Sequence, residues 1–148
     1  MGIEVVEPGA SHQTGWRGLW DAYCGGAISA EVGDATWRRL LDPASSIGGL
    51  VAVCDADVVA FVTYVEHECT WELKPVCYVE DVFVAPLHRG RDSMVARSMA
   101  ANLLARLASA EWSRLYGITA LDNVLAQRLY STFSPAQACM RYVIRSHS

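Results

Sequence analysis

The sequence predicts an α+β fold: a mixed central β-sheet flanked by helices in three layers. Three observations carry it. Gly49 to Cys54 and Val58 to Val65 are β-rich runs joined by Asp55-Ala56-Asp57, the pattern of an antiparallel hairpin. From Tyr78 to Thr119 the chain reads strand, helix, strand, an order that demands a right-handed crossover between parallel strands. The chain has 148 residues, of which 52% are hydrophobic. That length suits one three-layer core and is short for two ordinary domains, so residues 1–148 are expected to form a single domain.

Taken in order, Ile3 to Val6 is a first strand, ended by Glu7-Pro8-Gly9. Ser11 is expected to cap a helix bearing Trp16, Leu19, Trp20 and Tyr23 at the spacing of one apolar face, and Gly25-Gly26 stops it. Asp34 is expected to cap a second, short helix, ATWRRLL, closed by Asp42-Pro43. The hairpin follows, and the polar segment from His67 to Lys74 leads into the strand from Tyr78 to Val84. A helix starting near Ser93 carries Val95, Met99, Leu103 and Leu107 as one apolar stripe and runs to about Ser109. Leu115 to Thr119 is a short strand, Asn123 to Thr132 a helix, and Met140 to Arg145 a last strand.

Charge and cysteine usage narrow the function classes. The net charge is −4 and no Lys/Arg cluster is present, whereas phosphate-backbone binding needs a contiguous basic surface, so nucleic acid is not an expected partner. A cationic small molecule suits the balance better. No apolar run reaches the length of a membrane span, and MGIEVVEPG lacks the basic and apolar regions of a signal peptide, so a cytoplasmic location is expected. Cys24, Cys54, Cys69, Cys77 and Cys139 are odd in number and form no CxxC pair; with four unclustered histidines they argue against a disulfide framework and against any metal site.

The strand YVEDVFV places Glu80 and Asp81 inside an otherwise apolar run, where an unpaired carboxylate would cost several kcal/mol. By the two-residue period the two acids point to opposite faces, so that one can face a cleft. The stretch YVEDVFVAPLHRGR resembles the central motif of the GNAT superfamily, the acetyl-CoA-dependent N-acetyltransferases, in which such a strand runs into P-x-x-R-G-x-G-x-G. Pro86, Arg89 and Gly90 stand at the family's offsets; Asp92 and Met94 stand where the family has small residues. The helical pair LWDAY and TWRRLLDP and the helix NVLAQRLY extend the resemblance over nearly the whole chain, toward the subfamily acting on polyamines and related small amines.

The resemblance implies a GNAT fold, acetyl-CoA as acetyl donor, a small-molecule amine as acceptor and a homodimer. Backbone at Val82, Phe83 and Val84 would align the pantetheine arm and thioester. Residues Arg89, Gly90, Arg91, Asp92, Ser93, Met94 and Val95 would hold the pyrophosphate, using N–H groups at a helix N-terminus. Asn123 would cap its helix and touch the cofactor. Tyr130 would be the general acid toward the departing thiolate, and Glu80 would contact the amine or accept its proton through water. Trp20, Tyr23 and Asp81 would line the acceptor side with Glu80, although the tryptophans Trp16, Trp20 and Trp37 fit a core equally well.

A second reading belongs to a different class. Asp92 brings a carboxylate to the anion site, and either Asp92 or Ser93 is a preferred N-cap that would take the helix N–H groups for itself. A chain in which the loop no longer holds pyrophosphate would be a non-catalytic binding or interaction module built on the same fold.

Overall fold

The computed structural model describes residues 2–90, 93–109 and 111–147. The chain divides into two compact units, Met1–Gly117 and Ile118–Ser148. Among the described residues the first contains five strands, β1 (Ile3–Val6), β2 (Ile47–Cys54), β3 (Asp57–His67), β4 (Val76–Val84) and β5 (Arg114–Gly117), and three α-helices, α1 (Gln13–Cys24), α2 (Ala30–Leu41) and α3 (Met94–Ala108).

The strands lie in the order β1-β2-β3-β4-β5. The first four pair antiparallel, and β5 joins β4 in parallel after the α3 crossover. Asp55 and Ala56 turn the β2–β3 hairpin with both φ angles positive, the conformation of a type I′ turn. Two apolar cores sandwich the sheet. On one face Val95, Met99 and Leu103 of α3 pack on Leu50, Val62, Tyr64, Cys77 and Val79. On the other, Trp16, Trp20 and Trp37 of α1 and α2 pack on Val51 and Phe61. Helices on both faces of a mixed sheet make the three-layer α+β architecture that the sequence predicts.

Several boundaries differ from the sequence expectation, each for a local reason. Ser11 caps nothing: residues Ala10–His12 form a one-turn 3₁₀ helix with no side-chain cap, and His12 Nδ1 instead accepts the Gly9 N–H at 3.0 Å. Helix α2 begins four residues earlier than Asp34, because Ser29 accepts the Val32 N–H at 3.3 Å and caps it there. Asp34 lies inside the helix, where its carboxylate takes the Arg17 guanidinium of α1. Strand β5 ends at Gly117, two residues before Thr119.

The second unit holds one helix, α4 (Val124–Ser131), capped by Asn123, whose Oδ1 accepts the Ala126 N–H at 3.2 Å. The expected last strand, Met140 to Arg145, does not form: residues 135–147 have no regular structure, and Met140, Tyr142 and Ile144 are exposed. Alternating apolar residues make a strand only where a neighbour supplies the ladder of hydrogen bonds.

Candidate active site

Strand β4 carries the departure from regularity on which the site is built. Thr63 of β3 faces Asp81, but the next residue, Tyr64, faces Val79, so Glu80 is the extra residue of a β-bulge. The bulge shifts the phase of the strand. Asp81 and Phe83 therefore share the α1 face with Tyr78, and Cys77 and Val79 face α3. The simple alternation expected for Glu80 and Asp81 is thus broken: Asp81 turns toward α1, and Glu80 is exposed at the kink.

Asp81 is held by two hydroxyl donors. Tyr23, in the last turn of α1, donates to Oδ1 at 2.9 Å, and Thr63 donates to Oδ2. Burial, then the Asp81 charge, pushes the Tyr23 phenol up from its ordinary range, so it stays a donor. The same two influences raise the neighbouring Cys24 thiol. Tyr23 also packs against Phe61 and Phe83, with ring centroids 5.8 and 5.7 Å away. Trp20, expected on the acceptor side, is 7% exposed and stacks on Trp16 at 5.1 Å, so its ring belongs to the core. The carboxylate is left at the edge of an aromatic floor, where an ammonium group meets both charge and a π surface.

Parallel pairing of β4 with β5 ends at Val79 opposite Gly117. From Glu80 to Val84, β4 has β3 on one side and, among the described residues, no strand on the other. An extended ligand bearing amides can use such an edge as a strand would. Beyond it the chain passes a 3₁₀ turn, Pro86–His88, to Gly90 at φ +143°, where an added Cβ would meet nothing within 4 Å. Arg89 folds back over the Phe83 ring, 4.8 Å from its centroid, and its Nε donates to the Val84 carbonyl at 2.6 Å. Ser93 caps α3: its Oγ accepts the Ala96 N–H at 3.2 Å and donates to the His88 carbonyl at 2.7 Å. Arg91 and Asp92 lie outside the described residues. Met94 is exposed and Val95 is buried against the sheet.

A third cluster lies on the α1 face, on the far side of Tyr78 from Asp81. Tyr78 stacks on Tyr116 of β5, with centroids 4.9 Å apart. The Tyr116 hydroxyl is 2.9 Å from His67 Nε2, and His67 Nδ1 is 2.8 Å from the Glu68 carbonyl. Arg114 lies over the Tyr116 ring at 5.7 Å.

In the second unit, Tyr130 is half-buried in the last turn of α4, and Gln127 ties the helix to the Ala120 and Leu121 carbonyls at 2.9 Å each. Among the residues expected to act, Asp81 and Tyr23 come together with Thr63, which the sequence reading missed. A hydroxyl inside the apolar run of β3 was the available signal. His67 and Tyr116 gave no such signal, because they meet only through the register of three strands. No three His, Cys, Asp or Glu side chains among the described residues cluster as metal ligands. No helix there is long and apolar enough to cross a membrane.

Comparison with known proteins bears on this geometry. Residues 14–133 match the model of the Acetyltransferase (GNAT) family. The chain is 27% identical, over 87% of its own length and 81% of the relative's, to the D-amino-acid N-acetyltransferase HPA3 of Saccharomyces cerevisiae. Its fold resembles that of the aminoglycoside acetyltransferase AAC(6')-Iy in complex with a bisubstrate analogue, CoA-S-monomethyl-acetylneamine, with a TM-score of 0.82 at 18% identity and full coverage of both chains. It also resembles the ribosomal-protein-alanine N-acetyltransferase of Brucella melitensis biovar Abortus 2308, with a TM-score of 0.81 at 19% identity, covering 99% of this chain and 100% of that one.

Proposed function

We propose, since this chain belongs to the acetyltransferase (GNAT) family, that it is an N-acetyltransferase moving the acetyl group of acetyl-CoA to a primary amine of a small molecule. The observation that carries the reading is the Asp81 carboxylate, oriented by Tyr23 and Thr63 beside the stretch of β4 that, among the described residues, has a strand on one side only. The edge from Glu80 to Val84 fits the amide-bearing pantetheine arm, and the residues from Arg89 to Val95 fit the pyrophosphate. Among them Ser93, the N-cap, accepts the Ala96 N–H on its Oγ and gives its own N–H to the Gly90 carbonyl, so the Met94 and Val95 N–H groups stand at a helix N-terminus, where an anion is favoured. Acetyl-CoA, when bound, supplies the activated acyl group; the chain supplies position and proton transfer.

Glu80 and Asp81 hold the ammonium by charge. Tyr130 is the general acid toward the thiolate, a reading supported by the NVLAQRLY helix in which it stands, and Asn123 meets the cofactor. The family match and a relative named for D-amino acids favour an enzyme over a binding module. The acceptor class is a small amine of the polyamine or amino-acid kind, in a cytoplasmic homodimer whose exposed tail MRYVIR is available to a second copy.

Release of free thiol from acetyl-CoA, measured with spermidine, D-phenylalanine and neamine as acceptors, tests the reading. At least one is expected to raise release above the acceptor-free rate, and Asp81→Asn is expected to raise that acceptor's KM by roughly tenfold or more, the loss of one charge-assisted contact. Tyr130→Phe is expected to lower kcat by roughly 10²-fold with KM little changed. No release with any acceptor, together with no binding of acetyl-CoA at millimolar concentration, would establish the binding-module reading instead.

A further inference from the structure

The amine that attacks a thioester must first lose a proton, and the two carboxylates described so far are read above as holding the ammonium by charge. Asp81 has both carboxylate oxygens engaged by hydroxyl donors, which suits an anchor for a cation and not a base. The His67–Tyr116 pair lies on the same face of the sheet and has no part in that anchor.

Register places the pair where the open edge of β4 begins. Tyr116 faces Tyr78 across the parallel ladder, one residue before pairing stops at Gly117. Leu115 packs into the α3-side core, so Tyr116 and Arg114 project to the α1 face, the side of Asp81 and Tyr23. Tyr78 and Asp81, separated only by Val79 and the bulged Glu80, are neighbours on that face, about 7 Å apart along the strand. A thioester lying along the open edge of β4 would end where Tyr116 begins.

The direction of the hydrogen bonds follows from the acceptors. A carbonyl oxygen cannot donate, so the contact of His67 Nδ1 with the Glu68 carbonyl fixes the imidazole proton on Nδ1. In the neutral ring Nε2 is then the bare nitrogen, 2.9 Å from the Tyr116 oxygen, and the Tyr116 hydroxyl donates to it. The phenol oxygen keeps acceptor capacity beside that bond, on a residue 37% exposed. A phenol so placed can take a proton from one side while passing its own to the other.

We propose that Tyr116 is the catalytic residue that deprotonates the acceptor ammonium, with His67 behind it as the proton's destination. The step rests on the acetyltransferase reading above. The ammonium N–H breaks and its proton joins the Tyr116 oxygen, while the Tyr116 O–H breaks and its proton joins His67 Nε2. The nitrogen keeps the electron pair with which it attacks the thioester carbonyl. Tyr116 ends as the phenol it was, and the His67 imidazolium, still donating from Nδ1 to Glu68, returns its proton to solvent. The groups facing the imidazole are Arg114 and Tyr116 of β5, Tyr78 of β4 beyond the apolar Val76, and Glu68 and Cys69 of its own loop. Because the relay needs a neutral imidazole to receive the proton, it gives kcat/KM an acidic limb.

The test is the pH dependence of kcat/KM for the best of the three acceptors named above, over about pH 5.5 to 9.5, in wild type, His67→Gln, Tyr116→Phe and the double variant. Each single variant is expected to lose the acidic limb and to lower kcat by roughly 10²-fold with KM within about threefold, and the double variant to be no slower than either single one. Singles that retain the limb and most of kcat overturn the relay while leaving the acetyltransferase reading intact, and so does loss of the limb in Glu80→Gln alone. A wild type without turnover overturns both. Nitrogen-15 spectra of His67 in the wild-type protein serve where a variant fails to fold: a proton on Nδ1 and a hydrogen-bonded Nε2 support the relay, and a proton on Nε2 in the neutral ring overturns it.

Discussion

Tyr64 shows how one buried hydroxyl couples the fold to pH. It is 4% exposed and accepts from Arg106 at 3.0 Å, the same guanidinium that pairs with Glu7 at 2.8 Å. Burial pushes its phenol up to about 12, only partly opposed by Arg106, and burial likewise pushes the Cys77 thiol up to about 12. A group whose folded pKa is raised stabilises the fold fully below its unfolded value, and that contribution is lost as pH rises toward the folded value. Stability should therefore fall from about pH 8.5 as unfolded Cys77 ionises, and more steeply from about pH 10 as unfolded Tyr64 does, by roughly 4 kcal/mol between about pH 8 and pH 11. Urea midpoints at pH 8 and pH 11 measure the drop. Tyr64→Phe should lower the midpoint at pH 8 through the lost hydrogen bond yet flatten the slope above pH 10, and an unchanged slope would assign the alkaline loss to other groups. The phenol of Tyr23, raised by burial and by Asp81, acts with the same sign.

Among the elements, α2 shows what local sequence can and cannot reveal. Asp34 and Ser29 are both cap residues by type, and Asp34 stands directly before the apolar run ATWRRLL. The choice is made by a residue remote in sequence: Arg17 of α1 draws the Asp34 carboxylate away from backbone, and at Gly33 an added Cβ would stand only 3.1–3.2 Å from Arg17 and Trp20. Ser29→Ala should thus cost about 1 kcal/mol and lower Tm by several degrees. Asp34→Ala, which removes an exposed pair, should cost at most about 1 kcal/mol; the reverse order would return the cap to Asp34. Five strands, the crossover and the helix stripes were legible because each rests on spacing within one segment. The bulge at Glu80 was not, since an extra residue shows only against the partner strand β3. The tail Met140 to Arg145 failed as a strand for the complementary reason: its alternation was sound, and its ladder was missing.

For the molecule as a whole, the reading of the site was carried by the strand motif more than by composition. Asp81 and Tyr23 were legible as candidates and do come together, whereas Thr63, His67 and Tyr116 required knowledge of which residues face one another across β3, β4 and β5. The open side of β4 has a consequence of another kind. From Glu80 to Val84 the sheet has β3 on one side and, among the described residues, no strand on the other; such an edge invites pairing with any extended chain nearby, and in a concentrated solution the nearest such chain is another molecule of the same protein. The donor that serves the reaction would then also be a solubility factor, shielding the strand for as long as it is held. Light scattering during slow heating should rise at a temperature several degrees higher with saturating coenzyme A than without it, by more than the accompanying gain in Tm; equal shifts in the two would mean that the edge plays no part in precipitation. Cells short of coenzyme would lose this protein to aggregates before they lost it to unfolding.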